Sequence, residues 1–220
     1  MKLLGAALVW ALLLLAPAAQ AHQFTTKIDN PYTPLAPGSR WVYHDVLTCE
    51  RTVVRVTNET KRIANGVTGR VVRDTVRKHG HVTEDTSDWY AQDERGNVWY
   101  LGEDTKEYAH GKVSSTEGSW EAGVDGARAG IAMPAHPRVG RAYRQEYYAG
   151  HAEDHARVLS RDDQVEVPAG HYKRALLTKE WTPLEPDVLE YKLYAPGVGV
   201  VLESTVSGGA ERNELVSFHR

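Results

Sequence analysis

One cysteine, two phenylalanines and two methionines among 220 residues leave little room for redox chemistry or a thioether-rich binding surface. Cys49 cannot form an internal disulfide, and no cysteine-protease signature surrounds it, so it reads as a small apolar residue within a strand-like run. A charge excess is also missing. With 26 basic and 29 acidic residues the formal net charge is -3, and loss of Lys2 with a leader would take it from -3 to -4. The two signs are interleaved along the chain, which gives no electrostatic case for nucleic acid. There is no Gly-x-Ser-x-Gly elbow, no phosphate-cradling loop between strand and helix, no dinucleotide fingerprint and no EF-hand spacing. No stretch carries three turns of amphipathic helix. Nucleotide chemistry and serine or cysteine nucleophiles are therefore without a motif.

The one long apolar run is at the start. Lys2, the stretch from Leu3 to Ala16, Pro17 and the small-residue site Ala19-Gln20-Ala21 form the pattern of a secretory signal peptide over residues 1–21. The run is short for a membrane span, and no later stretch is apolar enough to be one. The sequence predicts a soluble secreted or periplasmic protein beginning at His22, a residue that could chelate copper through its amine and ring. Residues 22–220 are long enough for a single core without staples.

What the chain does contain is a near-repetition of itself. Gly38-Ser39-Arg40-Trp41-Val42-Tyr43 is echoed by Gly140-Arg141-Ala142-Tyr143-Arg144-Gln145. Asn65 to Val72 is echoed by Ala169 to Leu176. Tyr90-Ala91, Gly96 and Val98 are echoed by Tyr194-Ala195, Gly199 and Val201. Matches in order at nearly constant spacing indicate a duplicated supersecondary unit, with repeat one over about 38–103, a connecting segment over 104–139 and repeat two over about 140–203.

Both repeats alternate β-branched or aromatic residues with polar ones between Gly, Asn and Asp turns, so the expected fold is all-β and antiparallel. Each repeat supplies about four strands. Together they make a curved sheet, half-barrel or barrel, with a long Gly-rich inter-repeat loop. Tips are expected at Lys78 to His81 and at Asp93 to Gly96. A curved sheet must hide its apolar face, and Gly102 to Val139, with Trp120, Ile131 and Met133, is the natural cover.

Glu84 to Asp93, Gly96-Asn97-Val98-Trp99-Tyr100, Gly118 to Gly123 and Tyr194-Ala195-Pro196-Gly197-Val198-Gly199 resemble stretches of a family of secreted bacterial proteins without assigned activity. The strand pattern with its closing Tyr-Ala-x-Gly-x-Gly turn also resembles periplasmic β-clam carriers. That likeness implies a concave sheet able to hold a ligand, and no catalytic residues.

Two clusters could carry chemistry. Glu84-Asp85-Thr86-Ser87-Asp88-Trp89 and Glu103-Asp104-Thr105-Lys106-Glu107-Tyr108 share one pattern. A four-residue turn at Asp93 to Gly96 would set Asp85 opposite Asp104 and Thr86 opposite Glu103. Like charges so placed need an offset, which Ca²⁺ or basic neighbours would supply. On a strand, His151, Glu153 and His155 would share a face and suit Zn²⁺ or Cu²⁺. Asp154 would then point inward and need a partner such as Arg144 or Lys173. Trp89, Trp99, Trp120, Tyr143 and Tyr194 are candidate ligand-lining aromatics. The tryptophans beside Asp88, Glu103 and Glu121 would also suit a glycan hydrolase. The reading these features favour is a non-enzymatic binding protein for an apolar, amphipathic or lipid-like small molecule. A metal-binding protein and a secreted glycan hydrolase stand as alternatives.

Overall fold

The computed structural model describes residues 23–220, so the leader and His22 lie outside the described residues. Sixteen strands and no helix are present among the described residues. The first repeat follows a short β1 (Phe24–Thr25) and comprises β2 (Arg40–Asp45), β3 (Glu50–Arg62), β4 (Thr68–Lys78), β5 (His81–Asp93) and β6 (Val98–Ala109). The connecting segment contributes β7 (Lys112–Ser115), β8 (Trp120–Glu121) and β9 (Arg128–Met133). The second repeat comprises β10 (Ala142–Arg144), β11 (Glu146–Tyr147), β12 (His155–Val167), β13 (Gly170–Trp181), β14 (Leu189–Ala195) and β15 (Gly199–Ser207), and β16 (Arg212–His219) ends the chain.

Thirteen of these strands form one antiparallel sheet in the order β10-β12-β13-β14-β15-β16-β2-β3-β4-β5-β6-β9-β11, with β1 paired to β5 and β7 and β8 to β6 beside that path. The sheet curls into a barrel that is closed except for one seam. A single stretch of chain makes the closure. Ala142 to Arg144 pairs with β12, while Glu146 and Tyr147, two residues on, pair with β9 at the other end of the order. Gly130 allows this approach, because a Cβ there would lie 2.3 Å from the Gln145 backbone.

The duplication is written in the hydrogen bonds. Gly38 donates to Val56 O at 2.9 Å and Val56 to Ser39 O at 3.0 Å; Gly140 donates to Val158 O at 2.8 Å and Val158 to Arg141 O at 3.1 Å. The loop bond from Gly96 to Asp93 O recurs from Val198 to Ala195 O. Each repeat yields more strands than the expected four, because the edge segments β2 and β10 pair as well.

The segment expected to cover the concave face instead builds the wall: β8 and β9 both pair with β6, and Met133 is fully buried. One end of the barrel is plugged by the stretch before β2. Ile28, Tyr32 and Leu35 join the main core with Trp41, Val98, Leu176, Val201 and Leu215. Gln92 Oε1 accepts from the amides of Asp29 and Asn30, each at 3.0 Å, and fastens this plug to β5. A second cluster gathers Ile63, Val71, Trp89, Leu101, Trp120 and Ala122. Cys49 is exposed at φ 60° in the turn before β3, and not a buried strand residue, because the β2–β3 reversal falls on it.

Turn geometry decides the register. His79-Gly80 and His110-Gly111 both carry positive φ, as two-residue hairpin turns of the right hand for twisted strands require. At the β5–β6 tip, Asp93 N donates to Asn97 O at 3.0 Å, which leaves a three-residue loop ending in left-handed Gly96. Gly102, at φ 128°, then adds a shift in the β5–β6 pairing. The expected pairing is thereby displaced: Asp85 faces Lys106, Thr86 faces Thr105, and Asp88 faces Glu103. A Cβ on Gly102 would meet Trp120 O at 2.3 Å. Gly102→Ala is therefore expected to cost at least about 2 kcal/mol of unfolding free energy by denaturant titration; a change within 0.5 kcal/mol, the range of about ordinary surface substitutions, would show that the bulge tolerates a side chain.

Candidate functional site

Inside the barrel lies a cavity of about 510 Å³, within the range of small-molecule sites. Its floor is Tyr32, Leu35 and Trp41, and its wall carries Tyr43, Asp74, Glu84, Asp88, Tyr90, Lys192, Tyr194 and Glu203. Strand alternation puts these residues here. Val72, Asp74 and Val76 share one face of β4, so an acid interrupts an apolar row. The cavity shares Thr52, Val76, Glu84 and Asn213 with a mouth of about 350 Å³ that Glu50, Glu107 and Glu211 also line.

The interior is dominated by carboxylates. Around the one cation, Lys192 on β14, the Nζ lies 3.2 Å from Glu180, 3.1 Å from Glu203 and 3.9 Å from Glu190. Glu180 also accepts from Tyr194 at 2.9 Å and Thr178 at 2.7 Å. These acids hold the Lys192 ammonium well above its ordinary pKa even though burial opposes charge there. Burial and its acidic neighbours push the Glu190 carboxyl up to about 7.

Asp74, Asp88, Glu103 and Glu146 form no ion pair among the described residues, although Lys192 acts on Glu146 from a distance. Asp88 accepts from Tyr100 at 2.7 Å, and burial raises it to about 6. Its cross-strand neighbour Glu103 is raised to about 8 by burial and then by Asp88 and Glu146. Glu146, held by the Trp120 indole at 3.0 Å, is raised to about 8 by burial and by Asp154. Asp74 is raised well above the usual carboxylate range, by burial first and then by Asp88 and Glu84. The residue is half-buried, and its shielded Oδ1 has no hydrogen-bond partner. The Tyr143 hydroxyl is likewise buried and unpartnered.

The sequence candidates distribute as follows. Tyr194 lines the cavity and Tyr143 is half-buried against the adjoining core. Asp154 is raised by burial, and Lys192 is the leading charge that opposes this, in place of Arg144 or Lys173. Trp89 packs in the second cluster beneath Lys61, 3.3 Å from its ring centre, and Trp99 donates to Asp93 at 2.9 Å. With Trp120 bonded to Glu146, none of the three indoles is a free stacking platform in the cavity. Asp85 is ion-paired with Arg73, and Asp104 with Lys106 at 2.6 Å; neither meets Glu103. His151, Glu153 and His155 do not share a strand face, because a turn holds Gly150 to His151 and β12 begins only at His155. His151 stacks on Tyr148, His155 stacks on Trp181, and the Glu153 carboxylate accepts from Gly150 N at 2.9 Å. Among the described residues no group of three or more His, Cys, Asp or Glu side chains is placed to hold a metal ion.

Sequence reasoning missed Asp74, Glu180, Lys192 and Glu203, and named Asp88 only as an acid beside Trp89. The available signal was the one used for Asp154: a charge on the apolar side of a period-two pattern, as in Leu176-x-Thr178-x-Glu180 and Glu190-x-Lys192-x-Tyr194.

No protein-family profile matches the chain, and neither does any curated protein. Among solved structures it is similar to a protein described as exported, with a YmcC-like fold, from Bacteroides fragilis, at TM-score 0.50 and 15% identity over 86% of this chain and 99% of that one. A protein from Parabacteroides distasonis described as a lipoprotein aligns at TM-score 0.46 and 11% identity, over 86% of this chain and 99% of that one. The first likeness shows the fold.

Two predictions follow from the electrostatics. Asp88, Glu103, Glu146 and Glu190 have folded pKa values above their unfolded ones, so the stability they contribute is full below about pH 4 and is lost as pH rises toward 8. Asp45 and Asp93, held low by the amides and side chains that bond them, act in the opposite sense below the ordinary carboxylate pKa. Thermal stability should peak near pH 4 to 5 and fall toward pH 8, with Glu103→Gln flattening the upper limb; melting curves that rise from pH 5 to 8 would contradict this. Lys192→Met should cost about 3 to 5 kcal/mol at pH 8, where three carboxylates lose their partner, and less at pH 5, where Glu190 is protonated; equal losses at both pH values in denaturant titrations would reject the assignment.

Proposed function

We propose that this protein is a non-enzymatic extracytoplasmic binding protein whose barrel lumen takes a small, positively charged, hydrogen-bonding ligand such as an organic amine. The observation that carries the reading is Asp74: a carboxyl with an unpartnered Oδ1 that lines the cavity beside two further acids, Glu84 and Asp88. An ammonium or guanidinium entering there would offset the repulsion among Asp74, Glu84 and Asp88. Tyr43, Tyr90 and Tyr194 would supply ring faces to its carbon skeleton. The acidic mouth would raise the local concentration of cations.

This lining narrows the sequence reading. A lipid-like ligand would leave the carboxylates desolvated and unpaired, at a cost of several kcal/mol each. Export rests on the leader-like residues 1–21, and the exported description of the similar Bacteroides fragilis protein agrees with it.

Native mass spectrometry of the untagged protein, isolated from its export compartment with and without EDTA, tests the proposal. The expected result is a retained organic cation that survives EDTA and is lost from Asp74→Asn. A retained acid or neutral lipid, or a mass released by EDTA alone, would reject the cationic-ligand reading.

A further inference from the structure

The outer face of β2, β3 and β4 bears a second, oppositely charged site, and β4 carries Asp74 on its inner face as well. Arg40, Arg55 and Arg73 stand directly opposite one another across β2, β3 and β4, and Arg51 stands opposite Arg77. Like charges facing each other across a sheet destabilise it. Among the described residues only Arg73 has a carboxylate partner, Asp85, through a two-pronged pair; Arg40, Arg51 and Arg55 have neither ion pair nor side-chain hydrogen bond. The Arg40 guanidinium is pushed below its ordinary pKa by burial and then by Arg55 and Arg51.

This face is also concave. The β4–β5 tip, with Gly80 and His81, and the β6–β7 tip, with Tyr108, His110 and Gly111, wall the arginines into a groove of about 1150 Å³. The groove is distinct from the lumen: Arg51, Arg55, Arg73 and Arg77 alternate with the lumen-facing Thr52, Val54, Asp74 and Val76 on the same strands.

We propose that this groove binds an extended polyanion bearing phosphate or sulfate groups. Guanidinium forks match such oxyanions two bonds at a time. The arginines fall into two sets, Arg40, Arg55 and Arg73, and Arg51 and Arg77, four residues apart along the strands, which is roughly 13 Å. A single small anion fills one set, and a chain with repeated charges spans both. The walls exclude a flat bilayer from the groove floor, which favours a free chain over a membrane surface.

Calorimetric titration with medium-chain inorganic polyphosphate, and with orthophosphate at matched phosphate concentration, tests this. Polyphosphate is expected to bind at least about tenfold more tightly, and to lose roughly 50-fold in affinity between about 50 and about 200 mM salt, as four neutralised charges require. Arg55→Gln combined with Arg77→Gln should weaken binding about tenfold or more while raising, or leaving unchanged, the melting temperature of the unliganded protein. Asp74→Asn should leave polyphosphate binding intact, which separates this site from the lumen. No binding at low salt, or binding indifferent to the arginine substitutions, overturns the proposal. Binding to phosphatidylglycerol vesicles without binding to polyphosphate overturns it in favour of a membrane surface.

Discussion

The interior of this barrel depends on one ammonium. Lys192 reaches Glu180 on β13 and Glu203 on β15 from its own place on β14, where Glu190 lies two residues away, so it ties three adjacent strands at the level of the lumen. An ion pair in such a place is weak evidence of net stability, because taking the charges out of water costs about as much as their attraction returns. Its role is conditional. Given that Glu180, Glu190 and Glu203 face inward, the lysine is the counter-charge that holds them together in the second half of the sheet.

The two halves share a strand plan and hydrogen-bond pattern but not their electrostatics. The first half presents Asp74, Glu84, Asp88 and Glu103 to the interior, and the stretch Glu84 to Tyr90 contains no lysine or arginine. The second half presents its acids with a lysine among them. Duplication alone would have made the two walls alike. The single cation makes one wall satisfied and leaves the other short of positive charge, and Asp74 lies on the deficient side. The lumen is thus polarised across its width, which a ligand with one charged end and one hydrogen-bonding end can match.

Much of the fold was legible and little of the site was. Period-two alternation, the His79-Gly80 tip and the spacing between Gly38 and Gly140 were enough to give a duplicated antiparallel sheet. The register was not, because it hangs on Gly96 closing a loop one residue shorter than expected and on Gly102 inserting a shift. A glycine within a strand looks the same in sequence whether it bulges or lies flat. Those displacements set Asp85 opposite Lys106 and brought Asp88 to Glu103. The stretch His151 to His155 failed for a related reason: alternation was assumed through residues that the structure uses as a turn. The plug at Ile28, Tyr32 and Leu35 left no periodic signal, since irregular chain has none.

The most instructive misreading concerns charge. Basic and acidic residues that alternate along the chain look mutually neutralising, and for a helix or a coil they largely are. On a strand the side chains alternate between faces, so alternation in sequence becomes segregation in space. Arg73 and Asp74 are neighbours in the chain and point to opposite sides of the wall; so do Arg51, Arg55 and Arg77 relative to Asp74, Glu84 and Asp88. A net charge of -3 therefore conceals a sheet that is positive outside and negative inside. Each face is crowded with its own sign, and neither can be relieved by the other without crossing the backbone. The molecule carries two unmet demands for counter-charge, a cation within and an anion without, and they meet on β4, which turns Arg73 and Arg77 outward and Asp74 inward.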